Sequence, residues 1–281
     1  MDRRTLGDYR IEGIVGAGGI GVVYLAVDRD SGRAVALKVL REEVSIDPVY
    51  RERFRRESAL LARLEHPHVI PVHAVGEIDG ELFIAMRIVS STLQRRLAGG
   101  PLALDAAFDV LSRVAAALDA AHAAGVVHRD VKPTNVLLDP RSPGSVFLAD
   151  FGLARDPGAE ALTVPGQLIG SIAYMAPELI DGEGVGPATD VYALACMAVE
   201  TLTGRVPFDR QTDAATMYAH IVDPPPSVQE RRPELPLAFD DAIARGMAKD
   251  PDDRPAGAGA LIVELLRALD RPAPACLATV S

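Results

Sequence analysis

One short segment, residues 127–138, constrains the fold and function of this chain more than any other. Its sequence, VHRDVKPTNVLL, places a carboxylate, a lysine and a carboxamide between apolar runs. Pro133 excludes a helix interior, and the flanking valines and leucines predict short buried strands that fix both ends of the loop. Asp130, Lys132 and Asn135 can thus hold an acceptor group, a cation and a metal ligand at one place. An ordinary turn with solvated charges would explain any one of these residues taken singly.

The composition predicts a globular chain of one large domain or two modest ones. The 281 residues are 48% apolar, which is enough for a sizeable core. They contain no uninterrupted apolar run long enough to span a membrane, and residues 1–8, MDRRTLGD, are not the apolar core of a signal peptide. We therefore expect a cytoplasmic chain with no membrane segment.

Charge and cysteine content narrow the expected partners. The net charge of -10 argues against non-specific nucleic-acid binding, which needs a basic face. Cys196 lies in an apolar helical run and Cys276 in a Pro/Ala-rich tail, so they predict neither a disulfide framework nor a metal site. A reducing compartment fits best.

Residues 9–40 predict three consecutive strands, because strand-forming residues lie on both sides of a glycine-rich loop. Gly16, Gly18 and Gly21 match the spacing of a dinucleotide fingerprint. That motif requires a helix directly after the glycines, whereas a β-branched strand follows here. The loop is better explained as a flap whose backbone amides cover phosphates, since only glycine permits such a close approach.

A helix is predicted from Pro48 to about Leu64, with Asp47 as its N-cap. Its apolar stripe also carries Glu57, a carboxylate on the side that faces the core. Burial of a carboxylate is costly unless it finds a cation. Lys38, which lies within an apolar strand, has the matching problem.

The rest of the chain predicts further strands and then a mostly helical region. The predicted strands are residues 69–75, 81–86 and 146–149, and the predicted helices are residues 105–124, 190–203, 212–220, 238–248 and 256–269. Residues 153–175 show no clear period, and such a long irregular segment is usually functional or mobile. The Pro/Ala-rich tail, residues 271–281, is predicted to be frayed.

Taken in order, these motifs resemble those of the eukaryotic-like Ser/Thr protein kinase family over about residues 9–270, and the chain is most similar to the kinase domains of bacterial receptor-type Ser/Thr kinases. The matching motifs are GxGxxGxV at 16–23, VALK at 35–38, a helix glutamate at 57, HRD through asparagine at 128–135, DFG at 150–152 and APE at 176–178. Six matches in the right order leave little room for chance. The resemblance implies an α+β, bilobal kinase-like fold. It would have a small antiparallel sheet lobe with one main helix at residues 1–86, a hinge at 87–90 and a larger, mostly helical lobe at 91–270.

The resemblance also implies a Ser/Thr protein kinase that transfers the γ-phosphate of Mg-ATP to Ser/Thr hydroxyls of protein substrates. Asp130 would accept or orient the proton of the substrate hydroxyl, and Lys132 would steady the γ-phosphate. Lys38 would hold the α- and β-phosphates and would be oriented by Glu57. This pairing would explain both buried charges at once.

The rest of the implied nucleotide site is a metal pair, the glycine loop and an apolar slot. Asn135 and Asp150 would ligate Mg²⁺ (or Mn²⁺), which prefers oxygen ligands. Gly16, Gly18 and Gly21 would cover the phosphates. The implied adenine contacts are Val15, Val23 and Ala36 above the ring, Leu137 below it, Met86 at the back wall and the backbone of Arg87 and Val89.

Activation by autophosphorylation is a further expectation. Arg129, beside the catalytic aspartate, resembles the arginine of kinases whose activation segment is ordered when an added phosphate pairs with it. Thr163 carries the only hydroxyl side chain between Gly152 and Gly170, so it is the predicted phosphorylation site.

Two structural contacts in the large lobe are also implied. Ser171 stands where relatives usually carry threonine, and its hydroxyl is expected to bond near Asp130 and Lys132. Glu178 and Arg254 are expected to form a buried ion pair that braces the lobe. The resemblance is further consistent with a homodimer through the small lobe and with a cytosolic domain of a longer membrane-anchored kinase.

Particular residues disfavour three alternatives to a protein kinase. A pseudokinase, which would signal by binding alone, predicts loss of Lys38, Asp130 or Asp150, and all three are present. A small-molecule phosphotransferase is disfavoured by the APE element at 176–178, which shapes a peptide platform in protein kinases. A dinucleotide-dependent oxidoreductase is disfavoured by the strand that follows Gly21.

Overall fold

Strands from the first third of the chain form one antiparallel sheet. The computed structural model describes residues 5–18, 21–45, 47–142, 144–151 and 171–277. The strands are β1 (Thr5–Leu6), β2 (Tyr9–Ala17), β3 (Gly21–Asp28), β4 (Ala34–Leu40), β5 (Val72–Ile78) and β6 (Glu81–Met86). Their order in the sheet is β1-β2-β3-β4-β6-β5. The predicted three-strand meander is confirmed as β2, β3 and β4.

Glycines shape the edge of this sheet near the predicted phosphate loop. The pairing of β2 with β3 shifts register after Ile11 and after Ile14, which indicates bulges next to glycines. A Cβ atom on Gly21 would lie 2.2 Å from the backbone oxygen of Val39. Only glycine therefore fits where β3 passes this close to β4.

Two helices pack beside the sheet, α1 (Glu42–Ser45) and α2 (Pro48–Arg63). The carboxylate of Asp47 accepts a hydrogen bond from the Val49 N–H at 2.9 Å, which caps the first turn of α2. The buried residues of this helix are Tyr50, Phe54, Ser58 and Leu61. The helix predicted at about 48–64 is confirmed.

The second lobe is mostly helical. Its helices are α3 (Leu93–Leu97), α4 (Leu104–Ala123), α5 (Pro177–Asp181), α6 (Pro187–Thr203), α7 (Asp213–Val222), α8 (Val228–Arg231), α9 (Ala238–Gly246) and α10 (Ala258–Arg267). Helix α6 is buried along most of its length and forms the core together with α4. Gly125 and Gly204 follow α4 and α6 with φ values of 77° and 73°, as helix-terminating glycines do.

A small three-stranded sheet supports the two loops that carry Asp130 and Asp150. Its strands are β7 (Ser91–Thr92), β8 (Val136–Leu138) and β9 (Val146–Leu148), in that order. Strand β8 follows the loop that holds Asp130, and β9 leads into Asp150, so one sheet fixes both loops. The expected α+β, bilobal architecture is confirmed.

The strand predicted at 69–75 begins later than expected. Val69 makes only an isolated parallel bridge to Leu148, and β5 starts at Val72. The apolar run is real, but its first residues pack against the second sheet instead of extending the first.

The tail is not frayed over residues 271–277. Arg271 pairs with Asp105 on α4, and a 3-10 turn at Ala275–Leu277 places Leu277 against the core. Pro/Ala-rich composition predicts little regular structure, but it cannot show that one leucine finds a packing site. In the described part of the chain, no helix combines the length and the apolar character needed to cross a membrane.

Candidate active site

The loop after α4 brings together three of the predicted site residues. Lys132 Nζ lies 2.9 Å from Asp130 Oδ2 and donates to Ser171 Oγ at 2.6 Å. Asn135 Nδ2 donates to the backbone oxygen of Asp130 at 2.7 Å and to its Oδ2 at 3.1 Å. The Asp130 carboxylate is thus held between an ammonium and an amide, which suits a group that must meet a proton at a defined place. The expected contact of Ser171 is confirmed.

A buried aspartate holds the backbone of this loop, and sequence reasoning did not assign it that role. Asp190, in the first turn of α6, has no exposed surface. Its carboxylate accepts hydrogen bonds from the N–H groups of His128 and Arg129 at 2.7 and 2.8 Å, and it lies 2.7 Å from His122 Nε2. These three partners compensate the burial of one charge. The available signal was a carboxylate at the start of a long apolar helix.

His128 connects this loop to the segment that carries Asp150. Its Nδ1 accepts a hydrogen bond from the Asp130 N–H at 3.2 Å, so the proton lies on Nε2, which donates to the Ala149 oxygen at 3.0 Å. Burial lowers the pKa of His128, which keeps the ring neutral at pH 7. The ring packs on Phe151 with centroids 4.5 Å apart. The neutral His128 side chain therefore holds the Asp130 loop and the Asp150 segment at a fixed separation.

The two charged residues expected to pair with each other have different partners in this structure. Lys38 Nζ lies 2.9 Å from Asp150 Oδ1, and Arg129 Nη1 lies 3.2 Å from Glu57 Oε1. The expected Lys38–Glu57 contact is therefore wrong for this conformation. Its premise holds, because each buried charge does find an opposite one. Asp150 and Arg129 supply these opposite charges from the second lobe, so a different pairing offsets the desolvation cost of Lys38 and Glu57.

The charge and backbone of Asp150 are set by its surroundings. Burial alone would raise the pKa of its carboxyl group, but the Lys38 ammonium holds that pKa below its ordinary value.

Asp150 and Arg129 have φ values of 57° and 63°, in the left-handed region. Such a conformation costs a non-glycine residue about 1–3 kcal/mol and is common at functional sites.

An apolar slot lies beside these charges. Four predicted adenine contacts belong to one apolar cluster, namely Ala36, Met86, Val89 and Leu137. Its other members, which the sequence analysis missed, are Ile70, Phe147 and Ala149. Val23 lies opposite Lys38 in the pairing of β3 with β4. Val15 is 60% exposed and lies outside the cluster.

The connection between the lobes offers backbone groups at the edge of this slot. The Arg87 N–H donates to the Pro71 oxygen at 3.0 Å, which leaves the Arg87 carbonyl as the group that could accept from an adenine edge. The Arg87 side chain is engaged elsewhere, 3.1 Å from Asp139 and over the Phe147 ring. The adenine contacts of Arg87 and Val89 stay predictions.

The residues present fit a metal-bound nucleotide. Cβ atoms on Gly16 and Gly18 would meet nothing within 4 Å, so this part of the chain is open to phosphates. Asp150 and Asn135 offer carboxylate and amide oxygens. Mg²⁺ is commonly held by only one or two carboxylates together with substrate phosphates. Accordingly, no group of three or more His, Cys, Asp or Glu side chains in the described ranges forms a complete metal cage.

The expected brace of the large lobe is confirmed. Arg254 Nη1 and Nη2 donate to Glu178 Oε1 and Oε2 at 2.6 and 2.8 Å. The side chains of Arg254 and Glu178 are 0% and 8% exposed. The predicted phosphorylation site, Thr163, lies outside the described residues, as does Gly152 of the DFG motif.

A sheet lobe joined to a helical lobe, with Lys38 of the sheet paired to Asp150 and with Asp130 held by Lys132 and Asn135, is the arrangement of the protein kinase fold. The family model described as "Protein kinase domain" matches residues 9–266. The chain belongs to this family.

Relatives and solved structures agree with this membership. "Serine/threonine-protein kinase PknH" of Mycobacterium tuberculosis (strain ATCC 25618 / H37Rv) is 42% identical over 270 residues, which cover 95% of this chain and 42% of that protein. The chain thus spans less than half the length of this curated relative. The crystal structure of the Mycobacterium tuberculosis PknI kinase domain has a TM-score of 0.75 and 33% identity, and the match covers 94% of this chain and 97% of that one. The crystal structure of Rad53 1-466 in complex with AMP-PNP has a TM-score of 0.74 and 25% identity, and the match covers 91% of this chain and 64% of that one.

Proposed function

We propose that this chain is a Ser/Thr protein kinase that transfers the γ-phosphate of Mg-ATP to Ser/Thr hydroxyls of protein substrates. The observation that carries the proposal is the meeting of Lys38, Asp130, Asn135 and Asp150 at one cleft in a member of the protein kinase family. The Ser/Thr acceptor is supported by the name of the relative PknH, and ATP by the AMP-PNP bound to Rad53. The alternative of a pseudokinase has no support, because these residues are present and positioned.

The side chains of this site would act by positioning and by balancing charge. The Asp130 carboxylate, held by Lys132 and Asn135, accepts or orients the proton of the substrate hydroxyl. Lys132 links Asp130 to Ser171 and keeps an ammonium beside the transferred phosphoryl group. Asn135 and Asp150 would hold Mg²⁺ (or Mn²⁺), which neutralises phosphate charge when bound.

The ion pairs of this structure imply one rearrangement before transfer. Lys38 engages Asp150, the carboxylate that would hold the metal. To bind phosphates, the Lys38 ammonium must turn away from Asp150 and take Glu57 as its new partner. Glu57 becomes available when Arg129 binds another anion in its place. A phosphate on Thr163 is the anion that we propose, so autophosphorylation would favour the active pairing.

The remaining proposals concern partners and place. Protein substrates with Ser/Thr acceptors follow from the proposed activity. A homodimer through the small lobe and a cytoplasmic location, including that of a cytosolic domain in a longer membrane-anchored kinase, rest on the family resemblance.

Transfer of labelled γ-phosphate to casein tests the activity, with Asp130→Asn and Lys38→Met compared with the unaltered chain. We expect each variant to lose about 10²–10⁴-fold in rate, the range for loss of a positioned acid-base or charge-stabilising group. Asp223→Asn, an exposed surface change, is the control and should keep full activity. Unchanged transfer by both variants defeats the mechanism.

Mass spectrometry of the same reactions tests the regulation. Full activity with unmodified Thr163 would disprove activation by autophosphorylation and leave the proposed transfer reaction standing.

A further inference from the structure

A second cavity lies outside the nucleotide cleft, between α4, the end of α10 and residues 271–277. Its volume is 570 Å³, within the range of small-molecule sites. Residues 271–277, here called the strap, cross it with both ends fixed. Arg271 Nη1 lies 2.5 Å from Asp105 Oδ1, and Leu277 packs on the core. The space is open to solvent on one side, so a small molecule can enter it.

The lining defines the charge and polarity of that occupant. Its apolar members are Phe108, Leu266, Pro272, Pro274 and Ala275. Its charged members cancel in two ion pairs, Arg271 with Asp105 and Arg113 with Asp109, the latter at 2.6 Å. A charged ligand would therefore lose its hydration without gaining an unpaired countercharge among the lining residues. A neutral ligand has no such hydration to lose.

The lining has two uncharged polar side chains, His68 and Ser112, and only His68 is suited to a hydrogen bond with a ligand. His68 Nδ1 lies 3.1 Å from the Val146 oxygen, so Nδ1 carries the proton and Nε2 is left as an acceptor. Burial lowers the pKa of His68, which keeps it neutral. Ser112 is 1% exposed, and its Oγ has no hydrogen-bond partner among the residues that the structure describes. Because this hydroxyl has almost no accessible surface, a ligand cannot reach it, and His68 Nε2 is the polar atom left for a hydrogen bond.

One wall of the cavity is tied to the strand that leads to Asp150. The backbone oxygen of His68 accepts from the Leu148 N–H of β9 at 2.7 Å. Arg113 donates to the Gly144 oxygen, just before β9 begins. Two lining residues thus hold the two ends of β9, and a bound molecule that steadies them steadies the strand.

We propose that this cavity binds a small, neutral, mainly apolar molecule with a hydroxyl that donates to His68 Nε2, and that its binding steadies β9. The site shares no lining residue with the nucleotide cleft, and its occupation requires no phosphoryl transfer.

Binding of 2-naphthol tests the site, because the probe is neutral at pH 7, has one hydroxyl, and is read by fluorescence in a chain without tryptophan. Ala275 and Ala273 are both exposed on the strap, but only Ala275 lines the cavity. We expect Ala275→Phe, which fills the space, to weaken binding about tenfold or more, and the matched Ala273→Phe to leave it unchanged. We expect 2-naphthalenesulfonate, the same ring with a charge, to bind about tenfold more weakly than 2-naphthol. Equal binding of 2-naphthol by the two variants overturns the site.

Two further readouts locate the probe and test the coupling. Cys276 lines the cavity, whereas Cys196 is fully buried, so iodoacetamide should modify Cys276 alone in the folded protein. Saturating 2-naphthol should slow this modification about fivefold or more by steric exclusion. It should also slow hydrogen exchange of the Leu148 amide. An unchanged Cys276 rate overturns the site, and an unchanged Leu148 rate overturns the coupling to β9.

Discussion

The ion pairs of the cleft and the ion pair of the large lobe are built differently. Glu178 and Arg254 share two hydrogen bonds in a site that is almost fully buried. Lys38 meets Asp150 through one contact, with side chains 14% and 35% exposed. Arg129 and Glu57 also share one contact, with 16% and 19% exposed. The first pair has one geometry, and the others can exchange partners.

The difference follows from what surrounds each charge. Arg254 also donates to the backbone oxygens of Ala188 and Ala248, so its guanidinium has no alternative place. In the cleft each of the two pairs joins the small lobe to the large lobe through a single contact, and we propose that these two pairs exchange partners. A buried pair with every donor used fixes a fold, and a partly exposed group of four charges allows a switch.

The largest expected effect comes from breaking the fixed pair. Glu178→Gln leaves the Arg254 guanidinium buried without a countercharge, so we expect the free energy of unfolding to fall by about 3–5 kcal/mol. Urea denaturation measures this loss. Asp223→Asn breaks the exposed pair with Arg210 and should cost less than about 1 kcal/mol. Equal losses in the two variants would contradict the assigned difference between buried and exposed pairs.

A second prediction extends the fixed region to His220. The Arg254 guanidinium lies over the Tyr192 ring, and the Tyr192 hydroxyl lies 2.9 Å from His220 Nδ1. Burial, aided by the Lys249 ammonium, lowers the pKa of His220 from 6.5 to about 4. The folded state thus prefers neutral His220. Its stabilising contribution is complete above pH 6.5 and is lost as the pH falls from there towards 4, by up to roughly 3 kcal/mol.

Urea denaturation at pH 7 and at pH 4 measures this loss. We expect His220→Gln to lower stability at pH 7 but to flatten its decline with pH, because glutamine does not titrate. His73→Gln, at an exposed position, should keep most of the decline of the unaltered chain. A decline in His220→Gln as steep as in the unaltered chain would show that His220 is not the group responsible.

Motif spacing was enough to locate the charged residues of the cleft but not to pair them. Lys38 and Asp150 lie in contact, and Glu57 contacts Arg129 of the loop that carries Asp130, as the fixed place of each residue in a linear motif leads one to expect for residues of one cleft. Which anion Lys38 selects depends on the position of α2 relative to the second lobe. That position is a tertiary property, and the two pairings balance the same charges.

Two other features show where a linear pattern stops being informative. The role of Asp190 depends on α6 packing beneath the N–H groups of His128 and Arg129, sixty-two and sixty-one residues earlier in the chain. The composition of the strap at 271–277 predicts a frayed tail, but Arg271 pairs with Asp105 and Leu277 packs on the core. In both cases the decisive contact joins residues that are distant in sequence, and no motif predicts that contact.

The smallest expected effect on stability comes from an exchangeable pair. Glu57→Gln removes a single, mostly buried contact with Arg129, so we expect the unphosphorylated chain to lose about 1–2 kcal/mol in free energy of unfolding, between the values for exposed and fully buried pairs. Glu52→Gln, at an exposed position on the same helix, is the matched control for urea denaturation. The same Glu57 variant should lose phosphotransfer activity, because the active pairing needs its carboxylate for Lys38. A loss of about 3 kcal/mol or more would instead place Glu57 with the fixed pairs, and the proposed partner exchange would then cost too much to act as a switch.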